Sequence, residues 1–157
     1  MIAAVTFSQD CVDLVKISEG LRLIAYSDPG GVPTIGWGHT GPDVVLGAVW
    51  SLDYAEKALL DDLQTHCEQM LKVVKVPLTQ GQCDALTDFT FNEGIGTLEK
   101  STLLTLLNMG IYAAVPNELY RVNASDCSRH GYIFQGGVIL AGLVKRRQAE
   151  IILWNKL

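Results

Sequence analysis

The 157-residue sequence has no apolar run long enough to cross a bilayer as a helix. Residues 1–11 carry no basic group ahead of their short apolar patch, so they lack the pattern of a signal peptide. Charged residues make up only 18% of the chain, and acidic residues outnumber basic ones by 17 to 12. An acidic chain with a hydrophobic fraction of 48% is expected to be globular and is poorly suited to wrapping around nucleic acid.

Basic residues are concentrated in the last part of the sequence, where residues 118–157 carry six Lys or Arg against three Asp or Glu. This region could contact an anionic polymer. A solvated helix end explains the same charges equally well.

The four cysteines are widely separated, and none forms the C-x-x-C motif of zinc and redox sites. Cys11, Cys67 and Cys83 occupy apolar or helical contexts, where an unpaired thiol packs as a small hydrophobic group. We therefore predict buried free thiols rather than a disulfide framework. Cys127 and His130 lie three residues apart in a polar segment, but two ligands do not make a metal site, and no metal is predicted there.

The first structured region is predicted to be a short helix followed by a small sheet. Apolar residues repeat at helical spacing over residues 9–19, and Ser8 or Asp10 could cap the start. Residues 21–26 alternate, residues 27–31 (SDPGG) have the composition of a turn, and β-branched residues follow in VPTIGWGH. This pattern predicts a β-hairpin with space for a third strand after it.

From residue 51 the apolar spacing changes to steps of three and four, which indicates a long helix over 52–75. Asp53 and Glu56 have the spacing of a capping box at its start, and Pro77 is expected to stop it. Such a helix could connect a sheet-bearing lobe to a helical one.

Shorter helices fill the remainder of the sequence. Thr79 with Gln82 matches a capping box and predicts a helix that ends near the EGIG segment. The other predicted elements are a helix between Ser101 and Gly110, a helix over 112–123, a loop over 124–137 and a helix over 141–157.

Together these elements predict an α+β fold in a single domain over residues 1–157. The sheet-bearing lobe is expected over about 20–60, and the helical lobe over about 1–19 and 75–157. Ligand sites commonly lie in a cleft between such lobes, and Glu19 would stand at this boundary.

The segment EGLRLIAYSDPGGVPTIGWGHT places two acids and a hydroxyl in a glycine-rich stretch, namely Glu19, Asp28 and Thr34. Cleavage of a glycosidic bond requires an acid that protonates the leaving oxygen, and a carboxylate that stabilises the sugar carbon or directs water to it. Glu19 has the apolar neighbours Ile17, Leu21 and Leu23, which would disfavour its charged form, whereas Asp28 lies in a polar turn. Contrasting environments of this kind suit the two roles.

Each of these signals also has an ordinary structural explanation. A Glu at a helix end is commonly solvated or ion-paired, and an Asp in SDPGG commonly bonds the amides of its own turn. A Thr is favoured in strands for its β-branched shape. The spacing alone therefore leaves the catalytic and the structural interpretations open.

The complete string favours the catalytic interpretation. E-G, Y-x-D and T-I-G-x-G-H stand at the intervals found in phage-type lysozymes, the muramidase family (glycoside hydrolase family 24) that includes the bacteriophage T4 enzyme, and the chain resembles this family from about residue 15 onward. The segments QCDALTDFTFNEG, STLLTLLNMG and GLVKRRQAEIILW extend the resemblance. Two departures are Val122, where relatives often carry Trp, and the 124–137 loop, which is longer than expected.

The resemblance implies a lysozyme-like fold of two lobes joined by the long helix. It implies that Glu19 is the general acid, that Asp28 is the carboxylate that positions water, and that Thr34 assists it. It further implies that Gly38 lines the cleft, and that His39 is a structural residue paired to a carboxylate.

Two further positions carry expectations of their own. Trp37 stands beside Gly38 and is a candidate substrate-binding residue, although a core position is favoured for it. Arg146 and Glu150 lie four residues apart on one helix face and are expected to pair with each other.

The function implied by the resemblance is that of an endolysin, which hydrolyses the β-1,4 bond between N-acetylmuramic acid and N-acetylglucosamine in peptidoglycan, with inversion. No metal or organic cofactor, no nucleic acid and no stable membrane insertion are expected. We expect a monomer that resides in the host cytoplasm until a holin gives it access to the wall in the periplasm. Two alternatives stay open, a lytic transglycosylase and a catalytically inactive peptidoglycan-binding module.

Overall fold

The computed structural model describes residues 6–120, 132–135 and 138–156. Helix α1 spans Gln9–Glu19, and its N-cap is Ser8, whose hydroxyl accepts a hydrogen bond from the Asp10 amide. Of the two predicted caps, Ser8 is therefore the one used. The helix ends at Gly20, where φ is 71°, so the chain turns sharply out of the helix directly after Glu19.

A three-stranded antiparallel sheet follows, in the order β1 (Arg22–Ser27), β2 (Pro33–Gly36) and β3 (His39–Thr40). Thr34 is central in this sheet because it pairs with Tyr26 of β1 on one side and Thr40 of β3 on the other. The predicted hairpin and the third strand are both confirmed.

Helix α2 spans Leu52–Val73, close to the range 52–75 predicted for the connecting helix. The predicted N-cap, Asp53, was wrong. The N-cap is Ser51, whose hydroxyl accepts a hydrogen bond from the Tyr54 amide. Asp53 instead lies in the first helical turn, where a negative charge complements the helix dipole.

Helix α3 spans Gln80–Glu93 and begins with the predicted capping box, in which Thr79 and Gln82 each bond the other's backbone amide. A short helix α4, Ile95–Glu99, begins within the EGIG segment and was not predicted. Helix α5, Thr102–Asn108, is capped by Ser101 as expected, and the chain leaves it through Gly110 at a φ of 80°.

The fourth predicted helix is shorter and less regular than expected. A 3₁₀ turn at Tyr112–Ala114 leads into helix α6, Val115–Leu119, with Pro116 in its first turn. The predicted 124–137 loop also contains structure, because β4 (Phe134–Gln135) pairs with β5 (Val138–Ile139). Predictions concerning Val122, Cys127 and His130 fall outside the described residues.

Helix α7, Ala141–Trp154, packs across α3. The approach is closest at Gly81, where a Cβ atom would lie 2.1 Å from the carbonyl oxygen of Leu153. Only a residue without a side chain permits this contact. Among the described residues, no helix is both long and apolar enough to span a membrane.

In the described part of the chain the core consists of three clusters, and α2 contributes to two of them. Leu59 and Leu63 pack with α1 and Trp37, whereas Met70 packs with α3 to α7. The third and smallest cluster lies at the sheet, around Ile35. The predicted α+β architecture, with a small sheet and a helical body joined by the long helix, is confirmed.

The thiols behave as predicted in the part of the chain that is described. Cys11, Cys67 and Cys83 are buried and unpaired, with the sulfur atoms of Cys67 and Cys83 3.9 Å apart. Burial strongly raises the pKa of the Cys11 thiol, which keeps it neutral.

Candidate active site

Glu19 is held by contacts that differ from those expected from its sequence neighbours. Ile17 is 83% exposed and Leu21 is 40% exposed, so neither shields the carboxyl group. The carboxylate instead accepts a hydrogen bond from Nη1 of Arg146, and its side chain is 25% exposed. Ile17 and Leu21 therefore do not supply the apolar cover that was expected, whereas Leu23 is half-buried and packs against the cluster of α1, α2 and Trp37.

Gly38 closes the other side of this carboxylate. It has a φ of 81°, and a Cβ atom placed on it would lie 3.0 Å from Oε2 of Glu19. The tight turn between β2 and β3 thus brings bare backbone against Glu19. Gly38 lines the same cleft as Glu19, and its role at the site stays a prediction.

Arg146 connects Glu19 to the helical core. Its Nε and Nη2 atoms each donate to one carboxylate oxygen of Asp88 at 2.9 Å, while Nη1 reaches Glu19. Asp88 is fully buried and Arg146 is nearly so. Burial opposes the charge of Arg146, but the two carboxylates outweigh it and raise its pKa, so the cation is permanent.

The expected pairing of Arg146 with Glu150 is wrong. Arg147 is the residue that pairs with Glu150. Its Nη2 atom lies 2.8 Å from Oε1 of Glu150, and both side chains are fully buried. Successive residues on a helix point in different directions, so Arg146 and Arg147 serve different partners. Burial raises the pKa of Glu150 well above its ordinary value, with Arg147 opposing the shift.

Glu19 lines a cleft of about 320 Å³ between the sheet and the helices, hereafter the Glu19 cleft. Its walls come from the end of α1, the β2–β3 turn, β3, the middle of α2 and the end of α3. This is the position between sheet and helices where a ligand site was expected. The lining residues are Glu19, Gly38, Thr40, Asp62, His66, Phe91 and Asn92.

Asp28 and Thr34 share a hydrogen-bonding partner, the backbone of Val32 in the β1–β2 turn. Oδ1 of Asp28 accepts a hydrogen bond from the Val32 amide at 2.7 Å, and the Thr34 hydroxyl donates to the Val32 carbonyl at 3.0 Å. Thr34 is 4% exposed. The structure thus brings Asp28 of the β1–β2 turn and Thr34 of β2 to the same backbone residue, and places Glu19 against the β2–β3 turn.

His39 has the carboxylate partner that was expected. Its Nδ1 atom lies 2.7 Å from Oδ2 of Asp62, and its Nε2 atom lies 3.3 Å from Oδ2 of Asp43. Burial lowers the pKa of His39, but the bonds and charges of Asp62 and Asp43 outweigh this effect, so the pKa is raised overall. Asp62 therefore ties β3 to α2 and also faces the Glu19 cleft.

Trp37 is a core residue in this structure. It is 7% exposed, packs against α1 and α2, and has Nζ of Lys16 4.6 Å from its ring centroid. Its burial matches the core position that the sequence favoured, and its candidate role in substrate binding stays a prediction.

Several residues in or behind the Glu19 cleft were not predicted from the sequence. His66 lies far from the glycine-rich segment and has no motif of its own. Asp88 and Asn92 lie in QCDALTDFTFNEG, which supported the family resemblance but assigned neither residue a role. Arg146 had a signal in the KRRQAE segment, but helical spacing suggested the wrong partner for it.

A family model for phage lysozymes matches residues 16–150 of the chain. The endolysin of Bacillus phage B103 is 42% identical over 152 residues, which cover 94% of this chain and 53% of that protein. The SAR-endolysin of Escherichia phage Mu is 37% identical over 139 residues, covering 87% of this chain and 74% of that protein. The solved muramidase domain of SpmX from Asticaccaulis excentricus superposes with a TM-score of 0.82 at 32% identity, covering 97% of this chain and 99% of that chain.

The chain spans about half the length of the Bacillus phage endolysins that it matches. The family match nonetheless includes Glu19, the glycine-rich segment and Arg146. The structural likeness extends over almost the whole chain. On these grounds the chain belongs to the phage lysozyme family.

Proposed function

We propose that the protein is an endolysin of the muramidase type, which hydrolyses the β-1,4 bond between N-acetylmuramic acid and N-acetylglucosamine in bacterial peptidoglycan. The observation that carries this proposal is the Glu19 carboxylate, oriented by Arg146 and by Gly38 so that it faces a cleft between sheet and helices. A polymer lying in that cleft would present its glycosidic oxygen to Glu19.

In the proposed mechanism Glu19 is the general acid and gives a proton to the leaving oxygen. Asp28 is the carboxylate that directs a water molecule to the sugar carbon. Thr34 assists as a second hydrogen-bonding partner for that water, because its oxygen keeps lone pairs after donating to Val32. Attack by such a water would invert the anomeric centre.

The fixed position of the acid is important for this chemistry. A permanent cation anchored to buried Asp88 leaves the Glu19 side chain few alternative orientations. Catalytic groups held in this way avoid the entropy cost of being ordered at each turnover.

The broader biological assignment follows from the same proposal. We infer a T4-like member of glycoside hydrolase family 24, one domain with a sheet-bearing and a helical lobe, which acts as a monomer. The infected host cytoplasm would hold it until a holin opens the route to peptidoglycan in the periplasm.

A lytic transglycosylase is a second candidate, and the position of Asp28 favours it. One carboxylate oxygen of Asp28 already bonds the amide of Val32 in its own turn, which is a structural use of this acid. A transglycosylase needs one acid and lets a hydroxyl of the sugar attack. Mass analysis of the released muropeptides separates the two candidates, since only the transglycosylase gives an anhydro end.

The test of the proposed function compares the parent with Glu19→Gln on permeabilised Gram-negative cells, by loss of turbidity. We expect activity to fall by about 10³-fold, in the range known for loss of a general acid. Glu68→Gln, on the exposed side of α2, is the matched control and should keep the parent rate. Equal lysis by Glu19→Gln and the parent would contradict the proposal.

A further inference from the structure

His66 stands on the α2 wall of the Glu19 cleft and has no role in the mechanism above. Its ring meets Phe91 edge to face, with the two ring centroids 5.4 Å apart and the planes at 71°. Phe91 also lies beneath Arg146, whose Cζ atom is 5.9 Å from the ring centroid. Phe91 therefore separates His66 from the cation that orients Glu19.

The hydrogen-bonding capacity of His66 is not fully used. Its Nδ1 atom is buried and has no hydrogen-bond partner within the described residues. Such atoms are rare in folded proteins, because a lost bond to water is normally replaced. An unpartnered nitrogen on a ring that lines a cleft suggests a partner that arrives with the ligand.

The imidazole is suited to a neutral ligand rather than an anion. Burial lowers the pKa of His66, and the charge of Asp62 opposes this shift only in part. Besides Asp62 on α2, the charged group that lines the cleft is Glu19 from α1, already paired with Arg146 of α7. A neutral imidazole offers one donor and one acceptor, as do the hydroxyl and acetamido groups of a sugar.

Asn92 at the end of α3 also lines the cleft, and its orientation fits the same class of ligand. Its Oδ1 atom accepts a hydrogen bond from Nη2 of Arg147 at 2.6 Å. The amide nitrogen is then the atom that stays available. Polar groups beside an aromatic ring are the usual composition of a saccharide site, in which the ring supplies a flat apolar face.

We propose that His66 is a substrate-contacting residue that hydrogen-bonds an N-acetylated amino sugar bound in the Glu19 cleft, on the wall formed by α2. Because Nδ1 is buried in the present orientation, a bond from Nδ1 to the sugar requires the ring to turn about its Cβ–Cγ bond. The contact deepens the proposed muramidase function and rests on it. It sets affinity for the glycan and takes no part in proton transfer.

The first test uses the parent protein and tri-N-acetylchitotriose, followed by nuclear magnetic resonance of the histidine rings. The chain has three histidines, and the His66 signals are identified by their loss in His66→Gln. On titration the His66 ring signals should shift together with the amide of Gly38, while those of His39 stay in place. Unmoved His66 signals, with or without a shift at Gly38, would overturn the inference.

The second test is kinetic and uses soluble peptidoglycan fragments. His66→Ala should raise KM about tenfold with kcat within about twofold of the parent, because a contact made equally in the bound and transition states affects binding alone. His66→Gln retains a donor and an acceptor and should lose less. Gln64→Ala, on the exposed side of the same helix, is the control and should match the parent.

The outcomes distinguish this inference from the proposed function. If His66→Ala keeps the parent KM, or lowers kcat alone, the inference fails while muramidase activity stands. If Glu19→Gln retains full activity on the same fragments, the proposed function itself fails. Thermal unfolding of each variant identifies any loss caused by misfolding, and the titration of the unmutated protein is independent of that problem.

Discussion

Gly38 faces Glu19 so closely that a side chain on the glycine would collide with the carboxylate. A Cβ atom on Gly38 would lie 3.0 Å from Oε2 and 3.2 Å from Cδ of Glu19. The turn between β2 and β3 therefore limits where the proposed acid can lie, just as Arg146 does from the opposite side. Glu19 is a residue of α1 whose position is determined by the sheet and by α7.

Gly38→Ala should separate an effect on the site from a general effect on the fold. The added methyl group displaces Glu19, and the positive φ of 81° adds about 1–2 kcal/mol of backbone strain. Gly47→Ala is the matched control, because its φ is 83° and nothing lies within 4 Å of the new Cβ atom. Both variants should lose similar stability in urea, but Gly38→Ala alone should lose activity, by about tenfold or more. Equal activity in the two variants would show that the contact with Glu19 has no catalytic consequence.

Arg146→Met should be among the most damaging substitutions in the chain. It leaves the fully buried Asp88 carboxylate without its cation, and loss of one partner of a buried pair costs about 3–5 kcal/mol. Lys156→Met provides the contrast, because its pair with Asp10 is exposed to solvent and should contribute little to the free energy of unfolding. Denaturant unfolding measures both free energies, and comparable losses in the two variants would contradict the assigned role of Arg146.

The bond between His39 and Asp62 should make stability depend on pH. The pKa of His39 is raised in the folded protein, so its contribution is complete below the unfolded value of 6.5 and is lost as the pH rises through the folded value. His39→Gln should therefore cost about 2 kcal/mol in mildly acidic solution and less in alkaline solution. Urea unfolding across this pH range gives the comparison. A difference between His39→Gln and the parent that grows with pH would refute the prediction.

Gly81→Ala tests the close packing of α3 on α7. The new Cβ atom would meet the Leu153 carbonyl at 2.1 Å, and backbone cannot move aside as a flexible side chain can. We expect a loss of about 3 kcal/mol in the free energy of unfolding. Gly96→Ala, in helix α4 with nothing within 4 Å of the new methyl group, should be neutral or stabilise by up to about 1 kcal/mol. Thermal unfolding of the two variants measures the difference.

Features that depend on neighbouring residues were predictable from the sequence. The Ser8 cap, the capping box of Thr79 and Gln82, and the hairpin around the SDPGG turn all follow from short-range hydrogen bonds and turn chemistry. The cap of α2 was misassigned because both Ser51 and Asp53 have capping side chains, and local pattern alone does not choose between them.

Features that depend on tertiary contacts were not predictable in the same way. Glu19 and Arg146 are 127 residues apart, so no helical or strand period relates them. His66 appears in the sequence as one polar residue of a long helix, and only the packing of α2 against the ends of α1 and α3 places it in the cleft. Ile17 and Leu21 show the converse error, since nearness in sequence was mistaken for nearness in space.

The long sequence separation between Glu19 and Arg146 has a consequence for how the protein acquires its activity during folding. The sheet, α1 and α2 could assemble first, yet the proposed proton donor would still lack its orienting cation until the final helix docks onto α3. Ordering of the reactive group is thus coupled to a contact of long sequence separation, which is entropically costly to form. Partly folded chains would have a formed groove but no competent acid within it.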